Sequence, residues 1–213
     1  MQEPPEGYQP LVTTRKTGDE PFHLDNSPLE HRLLDFWRWV ASDLVGNTAR
    51  GILAEYIVAM ALGVADGVRY GWDAFDLTTS SGVKIEVKSA AYLQAWYHKK
   101  LSATVFTIRP TRIWNPDTNE FDTEIRRQAD IYVFCVLKHK DKSSLDPLNL
   151  NQWDFYLLPA SVLNVHMPAQ KTISLSSLLR LSPVQATYET LRDSISAVAD
   201  GLSTDFIPTQ TDP

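Results

Sequence analysis

The chain has 213 residues, of which 43% are hydrophobic and 22% are charged, and its formal net charge is −6. Length and composition are typical of one globular domain with a sizeable buried core, and the acidic balance argues against a dedicated nucleic-acid coat protein. The single cysteine excludes an internal disulfide, and no apolar run reaches the roughly 20 residues that a membrane span requires.

The N-terminal segment, residues 1–26, holds four of the 13 prolines and shows little periodicity. We predict an extended, partly disordered arm here, followed by one α/β domain over residues 27–202 and a loose tail over residues 203–213. The first residues are acidic and proline-rich, unlike a signal peptide, so a cytoplasmic location is expected.

Two segments carry the same helix-start pattern of a hydroxyl residue, a proline and then Glu or Gln three positions after the hydroxyl. They are Ser27-Pro28-Leu29-Glu30 and Ser182-Pro183-Val184-Gln185. The pattern predicts one helix from Ser27 to about Val45 and another that ends near Gly201.

Between them, a second helix is predicted over residues 49–62, with Gly63 as its stop. Glu55 lies on this helix, flanked by apolar residues. The predicted apolar face comprises Ile52, Leu53, Tyr56, Ile57, Met60 and Ala61.

After this helix the hydrophobic period changes to two, which is typical of strands. Phe75 and Leu77 alternate with polar residues, Ser80-Ser81-Gly82 signals a turn, and residues 83–88 alternate again, which together predict a hairpin. Further strands are predicted over residues 103–108, 131–137, 153–158 and 172–175. Cys135 falls in an apolar run and is interpreted as a buried thiol. Residues 114–128 are predicted to form a long loop that could gate a substrate groove.

The predicted hairpin places Asp76, Glu86 and Lys88 on one polar face. Alternate residues of a strand share a face, so Glu86 and Lys88 point the same way, about 6.6 Å apart along the strand. Asp76 is out of phase with its apolar neighbours Phe75 and Leu77 and therefore belongs to the same face.

Two converging carboxylates repel each other unless a cation lies between them. Oxygen ligands suit Mg²⁺ or Mn²⁺, whereas the five histidines are scattered and no Cys/His cluster suits zinc. A metal held by Asp76 and Glu86 beside Lys88 suits phosphodiester hydrolysis by a metal-activated water. The alternative from the residues alone is a merely solvated sheet face.

The order of these elements resembles the PD-(D/E)xK nuclease superfamily, which includes restriction endonucleases and recombination nucleases. The resemblance rests on Gly71-Trp72-Asp73-Ala74-Phe75-Asp76-Leu77 and on Lys84-Ile85-Glu86-Val87-Lys88-Ser89, and it covers roughly residues 49–137. It implies a restriction endonuclease-like α/β core, in which a central mixed sheet is flanked by helices.

The resemblance also implies roles for individual residues. Asp76 and Glu86 look like metal ligands, with the backbone carbonyl of Val87 as a further ligand. Lys88 resembles the catalytic lysine, and Glu55 resembles the helix glutamate that some members place near the metal. Two points remain open: a phenylalanine replaces the proline of the motif, and Asp73 competes with Asp76 for the role of first acid.

Four residues beyond the motif are candidate substrate contacts: Gln94, Ser89, Lys99 and Lys100. Gln94 is equally compatible with an ordinary polar residue on a short helix, and Ser89 with a strand-end hydroxyl. The nearby aromatic residues, Tyr92, Trp96 and Tyr97, could stack on bases, although such residues more often belong to a core.

These observations predict a Mg²⁺-dependent deoxyribonuclease, with Mn²⁺ as an alternative metal and DNA as the substrate. Cutting both strands of a duplex needs two sites, so a homodimer or another protein partner is left open. The rival prediction is a non-catalytic nucleic-acid-binding or assembly protein that retains the nuclease fold, since the acidic arms could contact a protein partner.

Overall fold

A computed structural model describes residues 11–115 and 118–204, with side chains of the last helix described to residue 202. Its helices are α1 (Leu33–Ala41), α2 (Asn47–Leu62), α3 (Ala160–His166), α4 (Leu175–Leu179) and α5 (Leu191–Thr204). Its strands are β1 (Pro21–Leu24), β2 (Ser27–Arg32), β3 (Leu77–Thr78), β4 (Lys84–Ala91), β5 (Val105–Thr107), β6 (Trp114–Asn115), β7 (Glu120–Phe121), β8 (Ile131–Leu137), β9 (Trp153–Pro159), β10 (Thr172–Ser174) and β11 (Val184–Ala186).

The central sheet has five strands in the order β11-β9-β8-β4-β3. Strands β4 and β8 run parallel, and the other neighbours run antiparallel, so the sheet is mixed as predicted. All seven residues of β8 are buried, because both faces of this strand are covered. This strand includes the predicted buried thiol, Cys135, whose burial is complete.

Each face of the sheet carries its own core. Odd-numbered residues of β4 and β8, such as Ile85 and Val133, pack with helices α2 and α5. Even-numbered residues, such as Ala90 and Phe134, pack with β5, β10, α3 and α4 on the opposite face. Glu86 and Lys88 are even-numbered and lie beside Tyr132 and Phe134 of β8 in the strand register. The predicted α/β architecture with a mixed sheet flanked by helices is confirmed.

The prediction of a helix from Ser27 is wrong. Asp25 and Asn26 adopt left-handed φ values of 47° and 62°, and this turn folds Ser27–Arg32 back onto Pro21–Leu24 as a hairpin. Helix α1 begins only at Leu33, where the Asp35 carboxylate accepts a 2.9 Å hydrogen bond from the Arg32 amide. The predicted arm therefore contains a strand, and its first ten residues lie outside the described range.

The second helix start, at Ser182, is also wrong. Residues Val184–Ala186 add a strand antiparallel to β9, and helix α5 begins at Leu191. Ser182 has a φ of 53°, so it turns the chain toward the sheet edge and does not cap a helix. The helix extends to Thr204, and the rest of the predicted tail lies outside the described range.

Helix α2 closely matches its prediction, and Gly63 ends it with a left-handed φ of 72°. Its buried face differs, however, because Ala54, Ile57 and Val58 pack on the sheet while Ile52 and Tyr56 stay about half exposed. The predicted long loop contains the short β6–β7 hairpin. No helix in the described part of the chain is long and apolar enough to cross a membrane.

Candidate active site

Asp76 lies directly before β3, at the edge of the sheet. Its amide donates a 3.0 Å hydrogen bond to the carbonyl of Ile85. Its carboxylate oxygen Oδ2 accepts a 2.7 Å hydrogen bond from the amide of Val87. The side chain is therefore held against β4 within the stretch that contains Glu86 and Lys88. Asp73, the competing first acid, is exposed and precedes this contact.

Glu86 and Lys88 share one face of β4, as their spacing predicts. Lys88 Nζ donates a hydrogen bond to Glu86 Oε1, and the side chains of Lys88 and Glu86 are only 25% and 19% exposed. A solvated sheet face would leave long charged side chains far more open. Partial burial of all three motif residues therefore counts against the solvated-face alternative.

The electrostatics of the site centre on the carboxyl of Asp76. Burial, with the nearby negative charge of Glu86, raises the pKa of Asp76 to about 6. The Val87 amide and the charge of Lys88 oppose this rise in pKa, whereas the charge of Glu55 adds to it. The Asp76 carboxylate is thus fixed in surroundings that disfavour its negative charge. A bound cation would stabilise that charge.

Glu55 of helix α2 lies near Asp76 and is paired with Arg69, a residue that the sequence analysis missed. Two guanidinium nitrogens of Arg69 contact the Glu55 carboxylate: Nη2 donates to Oε1 at 3.0 Å, and Nε donates to Oε2. The hydrogen bond to Glu55 also raises the pKa of Arg69. No motif spacing signals this pair, because it joins a helix to an irregular segment.

A pocket of about 250 Å³ opens beside these acids. One side of helix α2 lines it, which explains why Ile52 and Tyr56 face outward from the core. The opposite wall comes from the segment after the helix and includes Tyr70 and Asp76. The candidate site therefore has accessible space next to Glu55 and Asp76, whereas Glu86 and Lys88 are not among the residues that line this pocket.

The residues present fit a lightly coordinated Mg²⁺ or Mn²⁺. Among the described residues, no group of three or more His, Cys, Asp or Glu side chains is arranged as a metal cage. Mg²⁺ commonly binds one or two carboxylates and keeps several waters, and Asp76 and Glu86 supply such a pair. Glu86 would have to exchange its contact with Lys88 for the metal.

Residues 36–177 match the family model described as bacteriophage T4 endonuclease IV. The chain belongs to the bacteriophage T4 endonuclease IV family. Family membership supports a nuclease, in agreement with the activity predicted from the sequence. A comparison with curated proteins gave no match.

Two of the predicted substrate contacts, Ser89 and Gln94, lie away from the polar face of β4. Ser89 belongs to the opposite face, where its Oγ accepts a 3.1 Å hydrogen bond from Nε of the buried Arg50. Gln94 lies in an irregular segment, not on a short helix, and is 8% exposed. Its Oε1 has no hydrogen-bond partner among the described residues.

Lys99 and Lys100 of the nuclease are exposed beyond the end of β4. The neighbouring Trp96 and Tyr97 are 56% and 82% exposed, so the expectation that they belong to the core is wrong. Tyr92 is partly buried against the core cluster on the face of Glu86 and Lys88. Exposed aromatic and basic side chains thus lie near one end of the site strand.

Proposed function

We propose that this chain is a Mg²⁺-dependent endonuclease of the PD-(D/E)xK type that hydrolyses DNA phosphodiester bonds. Family membership supports the nuclease activity, and the mixed sheet with α2 beside β4 is compatible with a restriction endonuclease-like core. Asp76, Glu86 and Lys88 then form the catalytic set, and Glu55 supports it from helix α2.

One observation carries the proposal: Asp76 is hydrogen bonded to the backbone of the strand that bears Glu86 and Lys88. Two carboxylates and one ammonium are thereby gathered at a partly buried sheet edge. Burial and the charge of Glu86 raise the pKa of Asp76, so its charged form is disfavoured and a bound cation would stabilise it. Metal-dependent hydrolases use a bound cation at such a place.

Asp76 and Glu86 would hold the metal, and the carbonyl of Val87 would add a backbone ligand. Bound Mg²⁺ supplies Lewis acidity toward the phosphate and lowers the pKa of a coordinated water. The Val87 amide donates to only one oxygen of the Asp76 carboxylate, so the other oxygen would be available to the metal ion.

Lys88 has the proton donors needed beside a reacting phosphate. Its Nζ now contacts Glu86, and release of that contact would let the ammonium orient the attacking water or neutralise charge that develops on phosphate oxygens. Arg69 holds the Glu55 carboxylate by hydrogen bonds, so this carboxylate would be positioned near Asp76 without acting as a metal ligand.

The proposal is tested by cleavage and by metal binding, measured separately. Purified protein is incubated with single-stranded and duplex DNA in Mg²⁺ or Mn²⁺, and Mn²⁺ binding is measured by calorimetry. We expect Glu86→Ala to abolish cleavage and weaken Mn²⁺ binding by at least about tenfold, the equivalent of about 1.4 kcal/mol.

The matched control is Glu189→Ala, which removes an exposed glutamate that precedes helix α5. We expect it to cut DNA and bind Mn²⁺ as the unmodified chain does. Absence of cleavage together with unchanged Mn²⁺ binding in Glu86→Ala would favour the rival, a non-catalytic nucleic-acid-binding protein.

A further inference from the structure

Four exposed residues form a surface beyond the end of β4, which we call the lysine–aromatic surface: Trp96, Tyr97, Lys99 and Lys100. The two aromatic side chains are 56% and 82% exposed. Neither lysine forms an ion pair within the part of the chain that the structure describes. Contiguous exposed aromatic side chains next to cations are candidates for an interaction site.

This surface follows the strand that bears Glu86 and Lys88. Strand β4 ends at Ala91, three residues after Lys88, which is about 10 Å along the strand. Tyr92 continues the face of Glu86 and Lys88 and packs on the same core cluster. A strand of nucleic acid advances about 3.4 Å per nucleotide, so about three nucleotides would span the distance from Lys88 to the end of β4, where the segment with the lysine–aromatic surface begins.

The segment that carries the surface is held in place by cations of the loop after β8. Lys142 Nζ donates hydrogen bonds to the carbonyl of Trp96 at 2.8 Å and to that of Ala95 at 3.4 Å. Lys140 Nζ lies 4.7 Å from the centroid of the Tyr92 ring. A preorganised segment loses less entropy on binding than a flexible one.

The charge pattern suits a polyanion. The chain as a whole carries a net charge of −6, yet residues 87–116 contain five Lys or Arg and no Asp or Glu. After β8, Asp154 is paired with Lys138, which offsets its charge. Positive charge is therefore concentrated on the part of the chain that flanks the motif strand.

We infer that the lysine–aromatic surface binds the nucleic-acid strand that leads away from the cleavage position. Lys99 and Lys100 contact phosphates, and Trp96 and Tyr97 stack on unpaired bases. The combination distinguishes nucleic acid from an acidic peptide, because only the former offers planar bases between its charges. This inference rests on the proposed function, since it treats the β4 site as the place of cleavage.

Binding is measured in EDTA by fluorescence anisotropy of a labelled oligonucleotide, so that it does not depend on cleavage. We expect Trp96→Ala/Tyr97→Ala to weaken single-strand binding by at least about tenfold, since the variant removes both stacking surfaces for unpaired bases. The same variant binds fully paired duplex as the unmodified chain does. Lys99→Gln/Lys100→Gln weakens both and lowers the slope of log affinity against log salt by about 1.4 for single strands.

Two variants on helix α1 serve as controls. Trp39→Ala removes a tryptophan that is 82% exposed, and Arg38→Glu changes net charge by the same amount as the double lysine variant. Both should bind as the unmodified chain does. Unchanged single-strand binding in the aromatic variant, or equal loss in Arg38→Glu and the lysine variant, would overturn the inference. If the variants lose binding as expected but the unmodified chain never cleaves DNA, the proposed function is refuted and the binding inference is not.

Discussion

The carboxylate of Asp76 accepts a hydrogen bond from the amide of Val87 at 2.7 Å, while burial beside Glu86 raises the pKa of the same carboxyl to about 6. The hydrogen bond fixes the direction of the side chain, whereas its environment disfavours the charge. A group that is oriented but electrostatically unfavourable is typical of a functional site, because stability alone would favour its replacement.

The first prediction concerns stability without metal. The folded-state pKa of Asp76 lies above its ordinary value of 3.8, so its contribution to stability is present below that value and lost as pH rises through about 6. Asp76→Asn removes this loss and should raise the free energy of unfolding at pH 8 by up to about 3 kcal/mol. Urea unfolding in EDTA at pH 4 and pH 8 measures the difference.

The comparison between the two pH values is the internal control for Asp76→Asn. At pH 4 the advantage of the variant should be small, because the native carboxyl is then largely protonated. An equal change in stability at both pH values would show that the substitution acts through packing. The same variant is expected to lose DNA cleavage, so stability and activity should move in opposite directions.

Lys88 is expected to act on the reaction more than on metal binding. Lys88→Ala should lower the cleavage rate by about 10²–10³, since it removes a donor aimed at developing charge. Mn²⁺ affinity should stay the same or rise, because Glu86 loses its competing contact. Single-turnover cleavage and calorimetry test this, with the exposed Lys171→Ala as control; loss of Mn²⁺ binding in Lys88→Ala would contradict the assigned role.

Ser89 offers a test of a structural against a substrate role. Its hydroxyl accepts from Arg50 Nε at 3.1 Å, and Arg50 also donates to the carbonyl of Val45 and to Asn47 Oδ1, both at 2.8 Å. Ser89→Ala leaves a buried guanidinium donor without its partner and should cost about 1–3 kcal/mol of stability. Urea unfolding should show no such loss for Ser196→Ala on the exposed side of α5.

Cleavage kinetics separate the two readings of Ser89. A hydroxyl that only holds Arg50 leaves the KM for DNA unchanged under conditions in which the variant is fully folded. A raised KM with little loss of stability would instead support the substrate contact predicted from the sequence.

The hairpin of the site was predictable because its signal is local. Alternation over residues 83–88 fixes which side chains face the core, and Gly82 supplies the left-handed turn at a φ of 86°. The common face of Asp76, Glu86 and Lys88 follows from this geometry alone. The failed helix starts have a physical reason too: a Ser-Pro pair also suits a strand that follows a turn, and only tertiary pairing decides between the two.

The pairing of Glu55 with Arg69 lies beyond such local signals. The two residues are 14 positions apart, and the chain between them leaves helix α2 and turns back toward the sheet. No hydrophobic periodicity relates them, and Arg69 lies in a glycine-flanked segment whose sequence predicts a loop. The exposed Trp96 and Tyr97 were ambiguous for a similar reason, since composition does not decide whether an aromatic residue is covered.

The final prediction tests this pair by a double-mutant cycle of Arg69→Ala and Glu55→Gln. The side chain of Arg69 is 46% exposed and that of Glu55 is 13% exposed, so solvent screens the interaction and we expect a coupling energy of about 1 kcal/mol. Arg69→Ala alone should also tighten Mn²⁺ binding, because it removes a positive charge near Asp76 and frees the Glu55 carboxylate. Urea unfolding and calorimetry provide the two readouts, and Arg180→Ala, which removes an exposed arginine directly after helix α4, is the control. A coupling near zero, or weaker Mn²⁺ binding in Arg69→Ala, would mean that Arg69 supports the metal site in another way than by holding Glu55.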